Sequence, residues 1–108
     1  MRILFDHNTP APLRYALVGH QVETAFEKGW AELNNGDLLA VAESEGFDLL
    51  IATDKGIRYQ QHLADRKLAL ILIGTNDWRR LRTQKELVVN AVAAISSGEY
   101  VEVEVPFT

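Results

Sequence analysis

Residues 49–57 read LLIATDKGI: an apolar run that stops abruptly at Thr53, Asp54, Lys55 and Gly56. An unbroken apolar run of this length, without alternation, marks a strand covered on both faces, as in a parallel sheet. Residues 1–8, MRILFDHN, repeat the pattern, with RILF ending at Asp6 and Asn8 two positions on. What these acids do depends on whether the two strand ends lie side by side.

Working outward, the segment 8–17, NTPAPLRYAL, predicts a helix with Asn8 or Thr9 as N-cap and its prolines early, ended by Gly19-His20. QVETA at 21–25 predicts a second strand, and 26–36 a loop with an Asn-Asn-Gly turn signal. A helix is expected from about Asp37 to Glu45, with Leu38, Val41 and Ala42 on one face and Gly46 as its stop. After strand 49–53 comes a short helix over roughly 57–64, then a buried strand, LALILI, at 68–73. Thr83 and Glu86 fit a capping box opening a helix to about Ser97, with Leu87, Val88, Ala91, Val92 and Ile95 inward. EYVEVEV at 99–105 alternates, placing Val101, Val103 and Val105 on one face as a half-exposed edge strand.

Strands alternating with helices predict an α/β class, one domain spanning 1–108 with a mostly parallel sheet of about five strands. In such a sheet the strand ends share one rim, where ligands of open α/β folds bind. Asp6 and Asp54 end strands there, and Asp37 opens a helix at the same rim, so three carboxylates are expected to converge. Converging carboxylates repel one another unless a cation sits among them. Oxygen-only ligands suit Mg²⁺ or Mn²⁺, which can activate water against a phosphodiester. Asn8 would hold a metal-bound water or a phosphate oxygen, and Lys55 would orient a carboxylate or meet a phosphate. Each residue also has a plainer role: Asp6 as a helix cap, Asp37 as a first-turn acid, Asp54 as a turn former, Lys55 as a solvated lysine.

Composition sets the outer bounds. The chain has 108 residues, 47% hydrophobic and 24% charged, with a net charge of −4. That charge does not draw the molecule to nucleic acid in bulk, so any such contact rests on local Lys and Arg. The absence of cysteine excludes disulfides, zinc-thiolate sites and thiol catalysis, and is compatible with the cytoplasmic location expected here. No apolar run is long enough to span a bilayer, and Asp6 interrupts any signal-peptide pattern.

The stretches LFDHNTP and NGDLLAVAESEGFDLLIATDKGI, with the spacing between them, resemble the short PIN-like proteins of bacteria. These are compact relatives of the PIN-domain nucleases found as toxins in toxin–antitoxin pairs. The resemblance covers roughly residues 1–75. It implies a three-layer α/β fold, an Mg²⁺ or Mn²⁺ site, cleavage of RNA, and a small antitoxin-like partner. By motif, Asp6, Asp37 and Asp54 match the family's acids, and the nearest candidate for its additional helix acid is Glu27. Gly56-Ile57 stands where the family usually shows an acid and an aromatic.

Other residues invite two readings. In NDWRRLR, 76–82, Trp78 with Arg79, Arg80 and Arg82 would stack on a base and grip phosphates, or Trp78 packs inward and the arginines are an exposed connection. Asp77 would join the acids or cap a helix. His7 would serve as a base, although strand alternation turns it away from Asp6. His20 and His62 read as surface residues, and Trp30 as a loop anchor or a contact surface.

Three functions compete: a metal-dependent PIN-like ribonuclease, a PIN-like binding module without catalysis, and a receiver-like domain phosphorylated on Asp54. The last is disfavoured because Asp6 is followed by His7 rather than a second acid. The terminal strand predicts a homodimer or a complex with a small partner.

Overall fold

The computed structural model describes residues 1–60 and 66–106, leaving aside the side chains of residues 59 and 60. Five strands form, β1 (Arg2–Phe5), β2 (Gln21–Thr24), β3 (Leu49–Ala52), β4 (Ala69–Ile73) and β5 (Tyr100–Val103). They make one sheet in the order β2-β1-β3-β4-β5, with every neighbouring pair parallel. The class is therefore α/β, and the sheet is wholly rather than mostly parallel.

Period-two alternation divides the strand side chains between two cores. On one face Ile3, Phe5, Leu49, Ile51, Ile71 and Ile73 pack with Leu13, Leu17, Val88 and Val92. On the other, Leu4, Leu50, Ala52, Leu70 and Leu72 pack with Leu38, Leu39, Ala42, Phe47 and Ile57. Both faces of β1, β3 and β4 are covered, which is why their sequences are continuously apolar. Truncating a core side chain such as Leu50, which is fully buried, should cost about 2–5 kcal/mol.

The first connection is not the expected α-helix but a 3-10 helix, Ala11–Ala16, with Pro10 at its N-cap and no side-chain cap bond. Pro10 and Pro12 stand at the N-cap and in the first turn, where a helix leaves its N–H groups unpaired in any case, and the six-residue segment ends before Gly19, at φ 88°. Helix α1 (Asn35–Ser44) starts two residues earlier than expected. The Asn-Asn-Gly signal is its first turn: the Asn34 side chain accepts the Asp37 N–H at 2.8 Å. After β3, a 3-10 helix runs over Lys55–Gln60; the rest of the helix expected to residue 64, with His62, lies outside the described residues.

Asp77 caps the short α2 (Trp78–Leu81) by accepting the Arg79 N–H at 3.0 Å. Helix α3 (Lys85–Ala94) lacks the expected capping box, because the Thr83 hydroxyl donates to the Arg80 carbonyl instead. Leu87, expected inward, is exposed.

The strand order 2-1-3-4-5 belongs to a doubly wound sheet, whose switch point lies between β1 and β3. One connection departs from that scheme. Helix α1 links β2 to β3 and α3 links β4 to β5, stepping in the same direction across the sheet, yet they cover opposite faces. Parallel crossovers so arranged have opposite hands, so at least one breaks the right-handed rule. A receiver-like arrangement with uniform hand would place α3 on the α1 face. No described helix is long and apolar enough to cross a membrane.

Candidate functional site at the switch point

Strands β1 and β3 are neighbours, with Phe5 opposite Ile51. The Asp6 N–H continues the ladder onto the Ile51 carbonyl at 3.0 Å. The Asp6 carboxylate, only 2% exposed, is held from two sides. Its Oδ1 accepts the Thr9 N–H at 2.8 Å, the Asn8 N–H at 3.2 Å and the Thr9 hydroxyl at 2.5 Å. Its Oδ2 lies 3.4 Å from the Thr53 N–H. One carboxylate thus closes the turn after β1 and ties it to the end of β3.

Asp54 follows immediately and is exposed. Its Oδ1 accepts the Gly56 N–H at 2.9 Å, and its Oδ2 accepts the Asn35 amide at 3.3 Å. The second bond docks the first turn of α1 on the end of β3, placing Asp37, also exposed, on the same rim. The Thr53 hydroxyl, next to Asp54 in the chain, is buried and has no hydrogen-bond partner among the described residues.

The rim therefore gathers Asp6, Asp54 and the Asp37-bearing turn, but not as one acidic cage. Among the described residues, no three His, Asp, Glu or Cys side chains are grouped so as to hold a metal ion. The cavity beside Asp6, about 310 Å³, is lined by His7, Thr9, Arg14, Thr24, Phe26 and Glu27 among others, and by neither Asp37 nor Asp54. Expecting all three carboxylates in one pocket underestimated local turns: each of Asp6 and Asp54 first satisfies backbone N–H groups of its own loop. The donor chemistry still suits a hard cation. Mg²⁺ commonly takes one or two carboxylates and completes its shell with water and phosphate. Asp54 is exposed, and Asp6 keeps in Oδ2 an oxygen engaged by one long bond.

Asn8 is exposed beside Asp6. Lys55 is exposed and forms no ion pair with Asp54; its charge acts instead on Glu102, helping to lower that carboxyl's pKa behind the larger effects of Arg58 and Tyr100. Glu27 lines the same cavity as Asp6 but is already paired. Arg14 grips it at 2.6 Å and the Thr24 N–H at 2.9 Å, which together hold its carboxyl down to about 2.

Trp78 packs on the core, Arg80 donates to the Val105 carbonyl, and Arg79 and Arg82 are exposed. Trp30 is a loop anchor, set edge-on to Phe47 with ring centroids 6.1 Å apart. His7 is exposed on the lip of the Asp6 cavity, and His20 lies 3.1 Å from the Met1 amine. Thr9 was missed as a site residue, although a hydroxyl three positions after a strand-end acid is a recognisable turn signal. None of the family models, curated proteins or solved structures compared with the chain matches it.

Proposed function

We propose that this chain is a PIN-like ribonuclease-type protein acting on RNA phosphodiesters at the β1/β3 switch point, with Mg²⁺ or Mn²⁺ as cofactor. The observation that carries this reading is the bond from the Thr53 N–H to Asp6 Oδ2, which sets the acid after β1 against the segment bearing Asp54. Asp6 and Asp54 are the residues that would hold the cation, with Asp37 as the further acid on the rim. When bound, such a cation supplies charge that stabilises a phosphodiester under attack and makes a water more acidic.

The chain's own residues do the positioning. Asn35 and the Gly56 N–H fix the Asp54 carboxylate in one orientation, so little ordering remains to be done when substrate arrives. Asn8 offers an amide donor and Lys55 a cation to a phosphate oxygen, both exposed on this rim.

A binding module without catalysis is the second reading, favoured by a specific observation. Asp6 Oδ1 already accepts three donors and Glu27 is committed to Arg14, which leaves a reduced acid set. Calorimetric titration of Mn²⁺ into wild type and Asp54→Asn, paired with an RNA-cleavage assay, separates the two. Mn²⁺ binding and cleavage that both fail in Asp54→Asn support the nuclease. Binding without cleavage supports the module, and an unchanged Mn²⁺ response in the variant removes Asp54 from the site.

A further inference from the structure

The two edges of the sheet are finished differently. On β2, the N–H groups of Gln21 and Ala25 donate to Met1 and Phe5 of the β1 side, so alternation turns the backbone of Val22 and Thr24 outward. These outward groups are capped. The Val22 carbonyl accepts Arg14 Nη2 at 2.9 Å, the Thr24 N–H donates to Glu27 Oε1 at 2.9 Å, and the Thr24 carbonyl accepts the Lys28 N–H at 3.1 Å. The Arg14–Glu27 pair is a plug on that edge.

On β5, the carbonyls of Glu99 and Val103 accept the N–H groups of Leu70 and Gly74, so Tyr100, Glu102 and Glu104 turn their backbone outward. Among the described residues nothing hydrogen-bonds to those outward groups. Their side chains share one face. Glu102 is engaged by Arg58 at 2.7 Å and by the Tyr100 hydroxyl at 2.5 Å, while Glu104 is exposed and in no ion pair. Val101 and Val103 lie on the other face against the core.

We propose that β5 receives a sixth strand from a partner protein, an extended segment in which basic residues alternate with apolar ones. The free backbone groups supply the pairing, and alternate side chains supply selectivity. Opposite charges facing each other across strands stabilise a pair, and like charges oppose it. A second copy of this chain is the poorer occupant. Antiparallel self-pairing centred on Glu102 sets that carboxylate against its own copy and brings both Glu104 groups onto the same face, between two chains each carrying −4. The inference stands whether or not the rim cleaves RNA.

The test uses two dye-labelled seven-residue peptides, one alternating Lys and Val and one alternating Glu and Val, titrated with the full chain and read by anisotropy. Light scattering on the chain alone should report a monomer. The basic peptide should bind wild type, and the acidic one should not. Glu104→Pro deletes an outward N–H and a carboxylate while sparing the β4 ladder, and should weaken binding at least tenfold; Glu104→Gln should weaken it less. Should Glu104→Pro not fold, N-methylation of alternate peptide residues must abolish binding to wild type. Equal binding of the two peptides, binding of neither, insensitivity to both backbone changes, or a wild-type dimer dissolved by Glu104→Pro would each overturn the proposal.

Discussion

Arg14 Nη2 and Glu27 Oε1 lie 2.6 Å apart, and each also bonds the outward backbone of β2, Arg14 at the Val22 carbonyl and Glu27 at the Thr24 N–H. The pair thus joins the connection after β1 to the turn after β2. Its acid titrates far from the ordinary range, at about 2 instead of 4.5. A depressed folded-state pKa stabilises the fold above the unfolded value, and that contribution fades as pH falls through the folded one. Wild type should therefore exceed Glu27→Gln in urea midpoint at pH 6, with the gap narrowing between about pH 4.5 and 2. A gap independent of pH would detach the effect from this carboxylate.

Removing the plug should also change how the chain associates. Arg14→Ala frees the Val22 carbonyl and loosens Glu27, exposing a second bare edge. The variant should aggregate on concentration where wild type does not, as followed by light scattering.

Asp6 is expected to matter more for folding than its place among candidate ligands suggests. Asp6→Ala takes the side-chain acceptor from the Asn8 and Thr53 N–H groups and leaves Thr9 only its longer bonds, the N–H to the Asp6 carbonyl at 3.3 Å and the hydroxyl to the Ile51 carbonyl at 3.1 Å. Unsatisfied buried groups cost about 1–3 kcal/mol each, so a loss of about 2 kcal/mol or more should appear in denaturant melts. Asp6→Asn keeps one acceptor and should lose less. Any activity measurement on an Asp6 variant needs this control.

Tyr100 should titrate late. Burial, together with its hydrogen bond to the Glu102 carboxylate and that group's charge, pushes its hydroxyl up to about 12. A raised pKa contributes stability that is present below pH 10 and lost as pH climbs toward 12. Spectrophotometric titration should show a late tyrosine step from Tyr100, and Glu102→Gln should bring it earlier.

Gly98 occupies a left-handed backbone, φ 75°, and a Cβ there would stand 2.7 Å from the Arg66 carbonyl oxygen. Gly98→Ala should therefore cost about 1–3 kcal/mol through strain and collision, visible as a lowered melting temperature. An unchanged melt would show that the turn before β5 relaxes freely.

Much of the architecture was legible in the chain itself. The unbroken runs at RILF, LLIA and ALILI, covered on both faces, and the alternation in YVEV, a sheet edge, follow from which faces each strand must hide. That placed Asp6 and Asp54 at one rim without knowledge of any contact. The sequence could not say how those carboxylates spend their oxygens. That depended on which N–H groups came within reach once β1 and β3 paired: turn donors occupy Asp6 Oδ1, and the Thr53 N–H from the end of β3 faces Oδ2. Nor could local patterning reveal the face taken by α3, since an amphipathic helix satisfies either side of a sheet. Only the packed structure set Leu81, Val88 and Val92 against Ile71 and Leu13, gave that crossover its opposite hand, and left β2 plugged and, among the described residues, β5 uncapped. Those choices arise from contacts between residues far apart in the chain, and no short stretch of sequence carries them.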